Sequence, residues 1–386
     1  MAWNIGPIQA GGWDIGSIQT AAARGIANVQ TGTIAFGAAN TSRNVTITSV
    51  DTTKCFILID WQTDSTGSVA TTQHYRARLT SSTNIAFDRT QAVSGDDGIV
   101  RWWAVEFTAG ITVRHFTGNS RNTNEAIGAT VDLAKTFAII SERSGALSYD
   151  DNQIEGVDIV STTNFQVKTA ATAGTAPNWA VQIIEFDSDT DPVVKAVTIT
   201  LGSGITTNTG SISAVTVANS MLIGSGTWTG ASGQASQSGF SAALDDATTV
   251  SITRVNGTGT LIAYMFVIDW GDTIDIRRGT DTLTTVEGVS ETQTFSALDG
   301  TDDAIAFMRG GSGTFGAQGN HTGSQDDADY AEISLDSTTQ ITVTRSGSTD
   351  DLGPYNWQVI DFSGFVFGEG AVAAIRRYSL LLSGVG

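Results

Sequence analysis

Four acids recur in one setting along the chain. Glu106, Glu185, Asp269 and Asp361 each close an apolar strand, and each is followed by an aromatic: Phe107, Phe186, Trp270 and Phe362. A cation precedes each acid by 17, 17, 15 and 16 residues, namely Arg89, Lys168, Arg254 and Arg345. A carboxylate beside a cation shifts the protonation of both and can perform acid–base chemistry. Four equivalent copies at strand ends, however, are what a structural pair or a set of solvent-facing strand termini would give. An exposed pair contributes only about 0–1 kcal/mol. No catalytic residue is expected among them.

Other chemistry has thinner support. Asp187, Asp189 and Asp191 alternate in a loop and would suit Ca²⁺. They lack the glycine and distal glutamate of an EF-hand loop, so this is a weak match and no metal site is expected. Acid doublets such as Asp96-Asp97, Asp245-Asp246 and Asp302-Asp303 read as solvated loops. His74, His115 and His321 are scattered. Gly-x-Ser-x-Gly, Walker and His-Glu-x-x-His motifs are absent. The single cysteine, Cys55, excludes an intramolecular disulfide framework and a Cys-based zinc site. The chain is therefore expected to be no enzyme and to carry no cofactor.

Lys and Arg number 20 against 39 Asp and Glu, a net charge of −19. Such a surface repels phosphate backbones and anionic lipid, so neither nucleic acid nor membrane is an expected partner. Charged residues are only 15% of the chain, and 55 Thr and 43 Gly replace them. That balance favours strands and tight turns over exposed helices. No apolar run reaches a membrane span, and the first residues lack the basic and apolar regions of a secretory signal.

The elements that carry the recurring residues are themselves repeated. WAVEF (103–107), WAVQIIEF (179–186), YMFVIDW (264–270) and WQVIDF (357–362) end the four units. SSTNIAFDR (81–89), STTNFQVK (161–168), ATTVSITR (247–254) and STTQITVTR (337–345) precede them. KCFILID (54–60), KTFAIIS (135–141), NSMLIGS (219–225) and DDAIAFMRG (302–310) lie further upstream. Period-two blocks of Val, Ile, Thr, Phe and Trp between Gly, Asn, Ser and Asp are the pattern of half-buried antiparallel strands. The expected fold is all-β: four tandem antiparallel β-sandwich repeats of about 80–90 residues, each with five or six strands.

The expected divisions are 28–109, 110–190, 191–271 and 272–364, with a tail at 365–386 that holds a short helix near 371–379. Short junctions suggest a rigid rod or pairwise packing. Residues 1–27 contain their own duplication, Trp3-Asn4-Ile5-Gly6-Pro7-Ile8 and Trp13-Asp14-Ile15-Gly16-Ser17-Ile18. These two amphipathic copies read as a segment that docks on a partner through Trp3, Ile5, Ile8, Trp13, Ile15 and Ile18. The aromatics Trp103, Trp179, Tyr264 and Trp357 enter the last strand of each unit and are expected between its two sheets. Trp228, in a Gly/Ser-rich stretch, is the candidate for a sugar-stacking surface.

The first unit resembles repeats of tailed-bacteriophage structural proteins. The resemblance rests on Val29-Gln30-Thr31-Gly32-Thr33, Val50-Asp51-Thr52-Thr53-Lys54-Cys55-Phe56, Ser82-Thr83 through Arg89, and Trp103 through Phe107. The opening Ile-Gly-x-Ile-Gln is similar to opening segments of such virion proteins. The resemblance implies a head decoration, fibre or tail-associated protein, assembled in the bacterial cytoplasm and bound to other virion proteins. Charge-poor strands add self-association, for instance as a trimer. Recognition of a host-surface glycan by the distal repeats is the alternative.

Overall fold

The computed structural model describes residues 25–365 except 38, 66–73, 92–95, 145–154, 171–174, 188–191, 230–238, 255–256, 272–273, 284–288, 310–330 and 346–351. The docking residues Trp3 to Ile18, Asp189, Asp191, His321 and the helix expected near 371–379 lie outside the described residues. Among the described residues the chain is built of strands, with a short 3-10 turn at Val217–Asn219.

Six strands form each repeat. Repeat 1 holds β1 (Ile26–Phe36), β2 (Ser42–Thr46), β3 (Cys55–Ser65), β4 (Arg76–Ser81), β5 (Asn84–Asp88) and β6 (Asp96–Phe107). Repeat 2 holds β7 (Ile111–Gly118), β8 (Glu125–Ala126), β9 (Thr136–Arg143), β10 (Gly156–Ser161), β11 (Asn164–Lys168) and β12 (Asn178–Phe186). Repeat 3 holds β13 (Val193–Leu201), β14 (Thr207–Ser211), β15 (Ser220–Thr229), β16 (Ser241–Leu244), β17 (Thr249–Thr253) and β18 (Thr260–Asp269). Repeat 4 holds β19 (Asp275–Leu283), β20 (Ser290–Thr294), β21 (Ala304–Arg309), β22 (Ala331–Ser337), β23 (Gln340–Arg345) and β24 (Leu352–Asp361). The first strand begins at Ile26, inside the segment read from sequence as docking.

Each repeat is a sandwich of two three-stranded antiparallel sheets. One sheet has the order β1-β6-β3 and its counterparts β7-β12-β9, β13-β18-β15 and β19-β24-β21. The other has the order β2-β5-β4, with counterparts of the same connectivity in each repeat. In the second type burial alternates along the central strand, as in Phe165 and Val167 of β11 or Val250 and Ile252 of β17. One face packs on the partner sheet and the other meets solvent.

The first type behaves differently. In β3, Cys55, Ile57, Ile59 and Trp61 face the core of repeat 1, while Phe56 and Leu58 join a second core on the opposite face. In β6, Val100, Trp102 and Ala104 face inward to the sandwich, and Trp103, Val105 and Phe107 join the second core. Repeat 3 divides the same way, with Leu222 and Val267 on one face and Met221, Ile223 and Ile268 on the other. A sheet covered on both faces needs almost continuous apolar strands. The unbroken runs CFILI, TFAII and AIAFM are therefore strands buried twice, which corrects the half-buried reading for this sheet.

The second core is shared by all four repeats. The recurring aromatics meet there: Phe107 stacks 6.2 Å from Trp270, Phe186 lies 5.1 Å from Trp270, and Phe362 lies 5.6 Å from Trp270 and 6.2 Å from Phe107. Four sandwiches thus surround one axis. Repeat 1 packs on 2, 2 on 3, 3 on 4, and 4 returns to pack β22 on β3 and β6. Of the two arrangements expected from the short junctions, a rod and pairwise packing, neighbouring sandwiches pack pairwise, and the packing closes into a ring. The apolar outer faces of four sheets supply the reason, because a rod would leave much of that surface in water. Full burial of each large side chain contributes about 1.5–3 kcal/mol.

The two ends of the described chain meet at one pole of this axis. The Gly25 carbonyl accepts the Thr108 amide at 2.8 Å, and a Cβ built on Gly25 would lie 2.5 Å from the Phe365 carbonyl. Phe365 itself packs 5.2 Å from Trp270.

Candidate functional site

The recurring acids and cations serve different loops. Glu106 accepts the backbone amide of Asp51 at 2.6 Å, Glu185 that of Asp132 at 3.0 Å, Asp269 that of Thr216 at 2.8 Å, and Asp361 that of Asp299 at 2.8 Å. Each carboxylate ties the loop before the third strand of its repeat to the end of the sixth. The buried guanidinium of Arg89 donates to the carbonyls of Asn40 and Gly37, and that of Arg254 to the carbonyls of Ile205 and Gly202. These cations bridge the loop between the first and second strands. The backbone amides of Arg89, Arg254 and Arg345 repeat one bond, to Thr41, Thr206 and Val289. Lys168 belongs to a different register: it ends β11, and Thr169 stands where the arginines stand. There Asn122, at φ 52°, bonds both the amide and the carbonyl of Thr169. The loop closure is conserved in form while its side chain has changed.

The four strand-entry aromatics are buried, but at four different registers. Trp103 lies four residues before its terminal aromatic, Trp179 seven, Tyr264 six and Trp357 five. Trp102, not Trp103, is the counterpart of Trp357. Trp102 and Trp357 lie over Gly32 and Gly279 on the paired strand, and Trp179 lies over Gly118 in the same way. A Cβ on any of these glycines would come within 3 Å of the indole. Trp103 instead faces the shared core, and Tyr264 crosses to repeat 2 and covers Gly156. Trp228, the sugar-stacking candidate, is on β15, fully buried, with its indole N–H donating to the Thr258 carbonyl at 2.8 Å. It has no free face, because the Gly/Ser stretch around it is a strand inside the repeat 3 core. Among the Ca²⁺ candidates, Asp187 is exposed and its amide bonds the Gly110 carbonyl. Among the described residues no three His, Cys, Asp or Glu side chains are arranged to hold a metal ion.

The seams between repeats carry the unusual chemistry. At the seam of repeats 1 and 2, Gln182 grips the backbone of Ile57, accepting its amide at 2.7 Å and donating to its carbonyl at 2.8 Å. Gln358 holds Leu222 in the same way at the seam of repeats 3 and 4. The matching positions at the other two seams are Phe266 and Trp103. Ser141 bonds both backbone groups of Ala77, and Ser225 accepts the amide of Val157. The 1–2 seam also buries a charge cluster. Asp88 accepts both Nε (2.9 Å) and a terminal nitrogen (2.7 Å) of Arg76 and one terminal nitrogen of Arg78, with Arg143 at 3.9 Å. Nearby, His74 lies 3.4 Å from Glu142. Burial pushes the Glu142 and Glu155 carboxyls above the ordinary range, and each sits against the other.

The 4–1 seam joins the first and last repeats and has no linker across it. Asp60 stands there in the place of Ser141 and Ser225, and it accepts the amide of Met308 at 3.3 Å. Burial pushes its carboxyl up to about 8, against the opposing pull of the Met308 amide; Glu332 raises it further and Arg101 lowers it. Arg101 faces Glu332 across the seam at 3.3 Å, where Tyr264 and Gly156 meet at the 2–3 seam. Burial raises Glu332 as well. Two clefts flank this seam. One of about 480 Å³ lies between the start of β1 and Thr301–Ala304, with Arg101 and Trp103 in its wall. The other, about 470 Å³, lies at the far end of β1 between Phe36, Gln62 and Asp97 of repeat 1 and Thr344 and Arg345 of repeat 4.

None of Asp60, Gln62, Arg101, Glu332 or Thr344 was singled out from the sequence. The repeat alignment held a signal. Four residues after Phe56, Phe137 and Met221 stand Asp60, Ser141 and Ser225, so one repeat carries an acid where two carry a hydroxyl. No protein-family model and no curated protein matches the chain.

Proposed function

We propose that the protein is a non-enzymatic structural component of a tailed-phage particle, displayed on its surface and held by the N-terminal segment that includes Trp3, Ile5, Ile8, Trp13, Ile15 and Ile18. The observation that supports this reading is the meeting of Gly25 and Phe365 at one pole of the ring. Both tails leave from the same place, so a single attachment point would hold the ring and leave the opposite pole clear. The sequence resemblance of repeat 1 supplies the virion context. The recurring acids and the guanidinium groups of Arg89 and Arg254, once candidates for chemistry, are accounted for by loop closure.

Self-association was expected from the charge-poor strands. The strands nearest the axis are buried in the chain's own ring, while the outer sheets, in β14 for example, keep exposed charge-poor faces on which a trimer would rest. Glycan recognition through Trp228 loses its residue, because Trp228 is buried.

The test is incorporation into particles assembled with the full chain or with a chain lacking residues 1–24. Loss of incorporation by the shortened chain, with its ring still folded by circular dichroism, is the expected result. Undiminished incorporation would sink the attachment reading. Imaging of the intact particle would then distinguish regular sites on the capsid lattice from density at the tail tip.

A further inference from the structure

The cleft at the far end of the 4–1 seam lies where two of three equivalent positions carry shorter side chains. At the 1–2 seam Arg143, Asp88 and Arg76 fill this place with long, paired side chains. At the 4–1 seam the same positions are Gln62, Thr344 and Glu332. Gln62 and Thr344 are shorter and neutral, and they do not span the gap. The space left is about 470 Å³, within the range of about 300–1,000 Å³ usual for small-molecule pockets.

The lining has a definite chemistry. Gln62 is 8% exposed, and its side-chain oxygen is buried without a hydrogen-bond partner. A buried acceptor left unpaired costs about 1–3 kcal/mol, so the site calls for a donor. Asp97, on the exposed rim, adds a second acceptor. Ala35 and Ile99 give the wall its accessible apolar surface, while Phe36 is 0% exposed. Arg345 also borders the cleft, but its counterparts Arg89 and Arg254 use their guanidinium groups on carbonyls of their own loops. A net charge of −19 disfavours an anion, and no described carboxylate lies deep in the cleft to hold a cation. Acceptors beside an apolar wall match a neutral ligand with several hydroxyl donors and a hydrocarbon face.

We infer that this cleft binds a neutral carbohydrate, one or two sugar residues in size, with a hydroxyl donating to the Gln62 side-chain oxygen. The cleft lies at Phe36 and the tails at Ile26. The ten residue steps between them in β1, at about 3.3 Å each, separate the two by about 33 Å. The site therefore faces away from the pole where the tails leave, and it does not depend on what those tails attach to.

The test is saturation-transfer NMR and calorimetry on the full chain with glucose, galactose, mannose, N-acetylglucosamine, maltose and lactose at millimolar concentration. At least one of these sugars is expected to bind. Gln62→Leu should weaken that sugar at least tenfold, and Gln62→Arg, which restores the residue of repeat 2, should abolish its binding. Gln62→Leu, which removes a buried unpaired acceptor, should melt at or above the wild-type temperature, and Gln62→Arg, which melts lower for want of an Asp88 counterpart, is scored at a temperature where circular dichroism shows it folded. Trp228→Phe should leave binding unchanged. Failure of all six sugars to bind, or unaltered affinity in Gln62→Leu, would overturn the inference.

Discussion

The 1–2 and 4–1 seams are built on the same strands in the same register, yet they are held differently. The 1–2 seam has a linker, a glutamine grip on Ile57 and a buried cluster around Asp88. The 4–1 seam has no linker, Trp103 in place of the glutamine, and the Arg101–Glu332 pair between two clefts. The difference shows which positions the fold requires and which it leaves free. Apolar residues facing the axis are required at every seam. The polar positions at the seam edge vary, and there the ring acquires local character.

The largest expected effect tests the charge cluster. Asp88→Ala removes the shared acceptor of Arg76 and Arg78 and leaves buried cations unpaired. It should cost about 3–5 kcal/mol in urea unfolding. Gln182→Leu comes next. It leaves the Ile57 amide and carbonyl without partners, at about 1–3 kcal/mol each, and should cost about 2–4 kcal/mol by the same measurement.

A third prediction concerns pH at the other seam. The Asp60 carboxyl, held near 8 in the ring and near its ordinary 3.8 when unfolded, keeps a proton that the unfolded chain has released. Its contribution is complete below about pH 4 and is lost as pH rises towards 8. Asp60→Asn keeps an acceptor for Met308 and removes the titration. Its melting temperature should therefore gain on wild type steadily from pH 4 to 8 and run parallel above that. A constant difference across this range would show that Asp60 is ionised in the ring. The smallest effect is expected of Thr344→Ala, at the counterpart of Asp88. It should change stability by less than about 0.5 kcal/mol, and a loss comparable to that of Asp88→Ala would erase the contrast between the seams.

Much of the sandwich was legible in the sequence, because strand periodicity and turn residues act locally. The closing acids and the six-strand order follow from blocks repeated four times. The ring was not read, although its trace is present in the unbroken CFILI and TFAII, which exceed what one buried face requires. Lys168 and Trp103 show a second limit. Matching residue types across repeats aligned Lys168 with Arg89 and Trp103 with Trp357, each one position out. In a strand one position reverses the side chain's direction, so only the pairing register reveals the error. The 4–1 cleft was further from view, since it arises from side chains more than 280 residues apart in sequence, Gln62 and Thr344, failing to fill a space.

The meeting of Gly25 and Phe365 makes the chain almost a circle in its connectivity. Its starting point is then one of four nearly interchangeable places to cut. A permuted chain with its ends joined and new termini opened between Phe186 and Val193 would keep all twenty-four strands and transfer the missing linker to the seam of repeats 2 and 3. Comparing the two chains would separate what the 4–1 seam owes to its residues from what it owes to lacking a linker.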